Sequence, residues 1–91
     1  LDVENVLSEC PLIEEACVVG RPDARWGEVV VAAVVLKPGC SMTQADVLKI
    51  CDGRIARYKH PREVRFLERL PRSALGKVQK DAVRAAVRSE T

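Results

Sequence analysis

Residues 29–36 read VVVAAVVL, eight apolar residues in a row, five of them valine. Unbroken β-branched runs of this length favour a strand, and the run is far too short to cross a membrane. A strand with one wet face would alternate apolar and polar residues. A strand that is apolar throughout needs cover on both faces. Val29–Leu36 is therefore expected at the centre of a sheet, with other elements packed on each side. Lys37-Pro38-Gly39 ends it in a turn.

Working outward, Glu15–Gly20 (EACVVG) reads as a short buried strand. Arg21–Glu28 (RPDARWGE), rich in turn residues, reads as a loop between the two strands. Upstream, Val3, Val6, Leu7 and Cys10 follow the i, i+3, i+4, i+7 spacing of a helix with one apolar face, stopped near Pro11. Downstream, Thr43–Asp46 (TQAD) fits a capping box that starts a helix. That helix runs through Val47, Leu48, Cys51 and Ile55, with Gly53 as a possible early end or kink. Pro61 forces His60 out of helical geometry. Glu63–Leu70 (EVRFLERL) reads as a third strand and Pro71–Lys77 as a loop. Ala82, Val83, Ala86 and Val87 form the apolar side of a last helix, with Arg84 and Arg88 outside. The sum is α+β: a small, mostly antiparallel three-stranded sheet with packed helices.

A chain of 91 residues with 47% apolar content suits one domain, residues 1–91, with one modest core and little room for a deep cleft of its own. The net charge of +2 hides an asymmetry. Residues 1–53 hold four Lys or Arg against nine Asp or Glu; residues 54–80 hold nine against two, plus the only histidine, His60. Such a basic block suits either an anionic partner or local ion pairs on a solvated face. Cys10, Cys17, Cys40 and Cys51 include no C-x-x-C pair, which argues against zinc and for free thiols in a reducing, cytoplasmic setting. No metal site is expected, no apolar run is long enough for a membrane span, and no signal peptide is visible. Aromatic residues are only 3% of the chain, too few for the usual nucleic-acid stacking platform, so no nucleic-acid partner is expected. The start at Leu1, already inside a helical pattern, suggests a piece of a longer protein.

The stretch Pro71–Lys80 (PRSALGKVQK) raises the sharpest chemical question. Gly76 admits backbone angles that other residues avoid, and Lys77 carries a compact cation on a long stem. The loop is either an ordinary solvated turn or a device that holds Lys77 out to meet an anion, with Leu75 and Val78 as anchors on either side. Trp26 is either a stacking platform or a cap on the core edge. Tyr58 and His60 flank Lys59 in the kinked segment, either to bind phosphate or merely to end the helix.

Residues 3–39 (VENVLSECPLIEEACVVGRPDARWGEVVVAAVVLKPG), 58–64 (YKHPREV) and 70–77 (LPRSALGK) together resemble the C-terminal domain of the adenylate-forming enzymes. That family includes acyl-CoA synthetases, peptide-synthetase adenylation domains and luciferases. The resemblance implies an ATP-dependent acid–thiol ligase. A carboxylic acid becomes an acyl-adenylate with release of pyrophosphate, and the acyl group then passes to CoA. It makes Lys77 the catalytic adenylation lysine, with Gly76 and Ser73 in the loop that positions it. It makes Trp26, Tyr58, Lys59, His60 and Arg62 part of the CoA site. It implies that this small domain rotates against an N-terminal domain of the same protein, which holds ATP, the acid and Mg2+. That domain and the hinge precede the given residues, so the 91 residues alone are expected to be inactive and to bind none of these by themselves. Leu75 before Gly76 and Val78-Gln79-Lys80 after Lys77 match a CoA ligase, of fatty or aromatic acids, better than a peptide-synthetase adenylation domain. A non-catalytic basic binding module is the remaining alternative.

Overall fold

The computed structural model describes residues 3–88. In chain order it holds α1 (Val3–Ser8), β1 (Ile13–Asp23), β2 (Gly27–Leu36), α2 (Gln44–Cys51), a 3-10 turn (Arg57–Lys59), β3 (Glu63–Phe66) and α3 (Lys80–Arg88). The strand order is β1-β2-β3, so the VVVAAVVL run is the central strand. β1 and β2 form a long antiparallel hairpin from Ile13↔Leu36 to Asp23↔Gly27. β3 joins β2 in parallel, from Val31↔Glu63 to Val34↔Phe66. The antiparallel pairing is the longer one, and the sheet as a whole is mixed. The parallel pairing follows from the connection, because α2 lies between β2 and β3 and returns the chain to the end from which β2 began.

Both faces of β2 are covered, as its composition requires. Ala32 and Val34 face α1 and α2, packing with Val3, Val6, Leu7, Ile13, Val47, Cys51, Ile55 and Val64. Val29, Val31, Ala33 and Val35 face α3, packing with Cys17, Val19, Leu70, Val83 and Val87. The alternation along β2 thus sends successive residues into two separate clusters. Arg84 is exposed on α3, while the Arg88 side chain lies outside the described part of the chain, as do residues 1–2 and 89–91.

Four sequence expectations shift in detail. First, the loop expected at residues 21–28 is a tight hairpin turn, Ala24–Trp26, because β1 continues through Pro22 to Asp23. Pro22 is tolerated there because β1 is an edge strand. Val18 turns its N–H away from β2, to Glu4 Oε2 at 2.7 Å, and Pro22, four residues on, faces the same open side. Second, α2 stops at Cys51 rather than Ile55. Gly53 takes φ 77°, and Ile55 still reaches the core from beyond the helix. Third, β3 ends at Phe66, after which the chain breaks away and carries Leu67 and Leu70 to the α3 side. Fourth, Leu75 makes no anchor, since it is 88% exposed at the loop tip, whereas Val78 packs on the α3 cluster. The capping box forms as read: Thr43 Oγ1 accepts from Asp46 N–H, and Asp46 Oδ2 accepts from Thr43 N–H at 3.0 Å.

Leu7 is fully buried in the first cluster. Leu7→Ala is expected to cost about 2–5 kcal/mol of stability, read as a lower urea midpoint. Leu75→Ala, at the exposed tip, is expected to stay within about 0.5 kcal/mol of the parent.

Candidate functional site

The predicted site residues fall into two groups, at opposite ends of the sheet. The first group surrounds the turn between β1 and β2. Asp23 Oδ1 accepts from the backbone N–H groups of Arg25 at 2.8 Å and Trp26 at 2.9 Å, which fixes the turn. Those two bonds, that of Trp26 foremost, hold the Asp23 carboxyl below the ordinary carboxylate range. Trp26 is left 59% exposed, so it does not cap the core. The guanidinium of Arg62 lies 5.0 Å and that of Arg25 5.5 Å from the centre of its ring.

Arg62 is placed by its own backbone, whose N–H donates to Val30 O at 2.8 Å as the chain enters β3. The 3-10 turn presents Tyr58, 84% exposed, with the Lys59 ammonium 5.8 Å from its ring centre. His60 Nε2 lies 2.9 Å from Ile55 O. A carbonyl can only accept, so Nε2 carries the proton and Nδ1 is left as the acceptor. Trp26, Tyr58, His60 and Arg62 line one open cleft of about 300 Å3 together with Glu28, Val29 and Val30. Lys59 stands beside it on Tyr58 rather than in its lining. Glu28, Val29 and Val30 line the cleft without being read as site residues from the sequence: Glu28 enters only through the expected loop and the family resemblance, and the two valines as core strand.

The second group is the Pro71–Lys77 loop. Arg72 and Val78 form an isolated antiparallel bridge, and Gln79 N–H donates to Pro71 O at 2.9 Å. Inside that closure Gly76 N–H donates to Ser73 O at 2.9 Å, and Ser73 N–H to Lys77 O at 2.8 Å. Ser73 Oγ accepts from Leu75 N–H at 3.2 Å and from Lys77 N–H at 3.3 Å. Gly76 sits at φ 84°, where a side chain would be strained. Ser73 and Gly76 thus shape a stiff turn, and Lys77 leaves it exposed, with no ion-pair partner among the described residues. Arg72 ties the loop to the sheet: its guanidinium pairs with Glu15 on β1 and donates to Gly76 O at 2.7 Å.

Ion pairing sorts the basic block. Arg54 pairs with Glu9, Arg65 with Glu63, Arg72 with Glu15 and Lys80 with Glu4. Lys59, Arg62 and Lys77, the cations singled out in the sequence, have no such carboxylate among the described residues, and neither does Arg69. The ion-pair reading of the block therefore holds for Arg54, Arg65, Arg72 and Lys80. No three His, Cys, Asp or Glu side chains gather into a metal-binding group among the described residues.

The two groups cannot meet one reactant at once. Trp26 precedes the start of β2 at Gly27, while Glu15, which holds the Lys77 loop, pairs with Val35 near the strand's other end. Eight residues of extended strand separate Gly27 from Val35, roughly 25 Å.

A mixed three-stranded sheet carries a glycine–lysine loop at one end and an aromatic, cationic cleft at the other. The chain belongs to the AMP-binding enzyme C-terminal domain family, whose model matches residues 2–77. It is 57% identical over 90 residues to the indoleacetate–CoA ligase of Aromatoleum aromaticum, covering 99% of this chain and 18% of that protein. Among solved structures, apo MatB from Rhodopseudomonas palustris superposes with a TM-score of 0.90 at 38% identity, over 97% of this chain and 18% of that one. The Mycobacterium tuberculosis fatty acyl CoA synthetase gives a TM-score of 0.89 at 34% identity, over 98% of this chain and 18% of that one. The chain therefore spans about a fifth of the length of the relatives it matches.

Because the folded Asp23 carboxyl titrates below its unfolded value, it stabilises the turn above the ordinary carboxylate pKa. That contribution is lost as pH falls through the depressed folded pKa. Fluorescence of Trp26, the only tryptophan, is expected to change with a midpoint below that of a free aspartate, and Asp23→Ala is expected to abolish that transition.

Proposed function

We propose that this chain is the mobile C-terminal domain of an ATP-dependent acyl-CoA synthetase, working in turn from its two ends in the cytoplasm. One observation carries the reading. The exposed Lys77, on a hydrogen-bonded loop, and the Trp26 cleft stand at opposite ends of one sheet in a chain of this family. The four free cysteines are consistent with a reducing compartment.

In the first half-reaction a carboxylate oxygen of the acid attacks the α-phosphorus of ATP. The new O–P bond forms as the bond to the β-phosphate oxygen breaks, and pyrophosphate leaves with that electron pair. Lys77 is the catalytic residue here. Its ammonium contacts the carboxylate and phosphate oxygens and offsets the charge building on them, as a fixed cation in a dry site does best. Ser73 and Gly76 hold the backbone from which Lys77 projects. The ATP, acid and Mg2+ sites belong to the N-terminal domain, the partner against which this domain turns.

In the second half-reaction the other end faces the reactants. Sulfur of CoA attacks the acyl carbon, and AMP leaves. Trp26 offers its ring to the adenine, taking the place of one of the guanidinium groups now over it, while Arg62 and Lys59 donate to phosphate oxygens and His60 joins them as an imidazolium, donating from Nδ1. Tyr58 walls the cleft. The similarity to an indoleacetate–CoA ligase favours an aromatic acid as the substrate class.

The full-length enzyme tests this with the two steps assayed apart. Lys77→Ala is expected to lower acid-dependent pyrophosphate release by about 100-fold or more. Thioester formation from supplied acyl-adenylate and CoA is expected to survive. Trp26→Ala is expected to do the reverse, raising KM for CoA by about 5- to 100-fold, the worth of one stacked base, with pyrophosphate release intact. If Lys77→Ala leaves both steps untouched, the loop is an ordinary surface turn.

A further inference from the structure

The Lys77 loop makes its own internal bonds, and among the described residues Arg72 is the side chain that bonds its tip to the sheet. Arg72 spends its planar fork in two directions. One arm pairs with the Glu15 carboxylate on β1, and Nη1 donates to Gly76 O at 2.7 Å, the carbonyl just before Lys77. Glu15 is itself set in the sheet opposite Val35. A lysine ammonium at position 72 could not hold both acceptors in this geometry, because its donors sit on one nitrogen at the end of a flexible stem, without the rigid fork of two separated nitrogens. A half-exposed ion pair adds little to stability. Its effect here is on direction: it fixes the peptide from which the lysine stem starts.

We propose that Glu15 and Arg72 are positioning residues for Lys77, acting as a strut that sets the angle at which the ammonium enters the adenylation site. The inference rests on the reading of Lys77 as the adenylation lysine. A side chain with several rotatable bonds amplifies any tilt of its own backbone. Loss of the strut therefore misplaces the ammonium by an ångström or more, a displacement that costs about 100-fold in a reaction governed by orientation. A purely structural ion pair would weaken the whole domain, and so both half-reactions.

The test uses the full-length enzyme with Glu15→Gln, Arg72→Met, Arg72→Lys and Lys77→Ala, and each of the first two combined with Lys77→Ala. Both half-reactions are measured for every variant. Glu15→Gln and Arg72→Met are expected to lower kcat for pyrophosphate release by about 10- to 100-fold, with thioester formation unchanged. Arg72→Lys is expected not to restore the rate. On the Lys77→Ala background neither substitution is expected to cost anything more, because a strut acts only through the lysine it aims. Equal losses in both half-reactions, a full further loss on the Lys77→Ala background, or no loss in the single variants would each overturn the proposal. If Lys77→Ala itself spares pyrophosphate release, the reading of Lys77 fails and the strut fails with it. If Lys77→Ala abolishes that step but the strut variants do not slow it, only the strut fails.

Discussion

Eight consecutive apolar residues, Val29–Leu36, leave a strand no polar face to turn to water. β2 must be buried on both sides, and the rest of the domain answers that demand. β1 and β3 flank it, α1 and α2 close one face, and α3 closes the other. With both faces and both edges of β2 occupied, the candidate functional side chains are left the two ends. The hairpin turn and the start of β3 build one end. The connection from β3 to α3, passing Glu15, builds the other. The separation of the two candidate sites is thus a consequence of how the core is buried.

Charge is distributed to suit that division. Several cations of the basic segment are tied to carboxylates of the acidic first half, and those pairs join elements far apart in sequence, as in Arg54–Glu9 and Lys80–Glu4. The cations at the two ends are treated differently. Arg62 rests on an aromatic ring and Lys77 stands free in solvent among the described residues. Groups held this way reach a phosphate or carboxylate without first breaking an ion pair.

The parts of this arrangement set by local chemistry were legible in the sequence. The composition of Val29–Leu36 announces a doubly covered strand. Thr43 and Asp46 announce a helix start through hydrogen bonds they make to each other's backbone. Gly76 beside Lys77 announces a turn that presents a cation. The tight turn before Gly27 was hidden, because Pro22 reads as a strand breaker unless the strand is known to lie at an edge. The parallel entry of β3 was hidden too, since its pairing partner is set by the core and not by its own residues. Glu15 and Arg72 lie 57 positions apart, and no periodicity links them. The cleft was read residue by residue only through resemblance; position along the chain does not reveal that Trp26 and Arg62 stack. Glu28, the carboxylate in the same cleft, was part of the resemblance but carried no signal of a site role.

The central claim is that one small domain serves one active centre from two ends, by turns. The most direct measurement is a distance in the full-length enzyme between a spin label at position 75, the exposed tip next to Gly76, and a labelled nucleotide on the N-terminal domain. The account predicts a short distance with ATP and acid bound. It predicts a shift to a distance longer by roughly the length of β2, about 25 Å, once the adenylate has formed and CoA is added. A single short distance through both half-reactions, with thioester still produced at the normal rate, would contradict it.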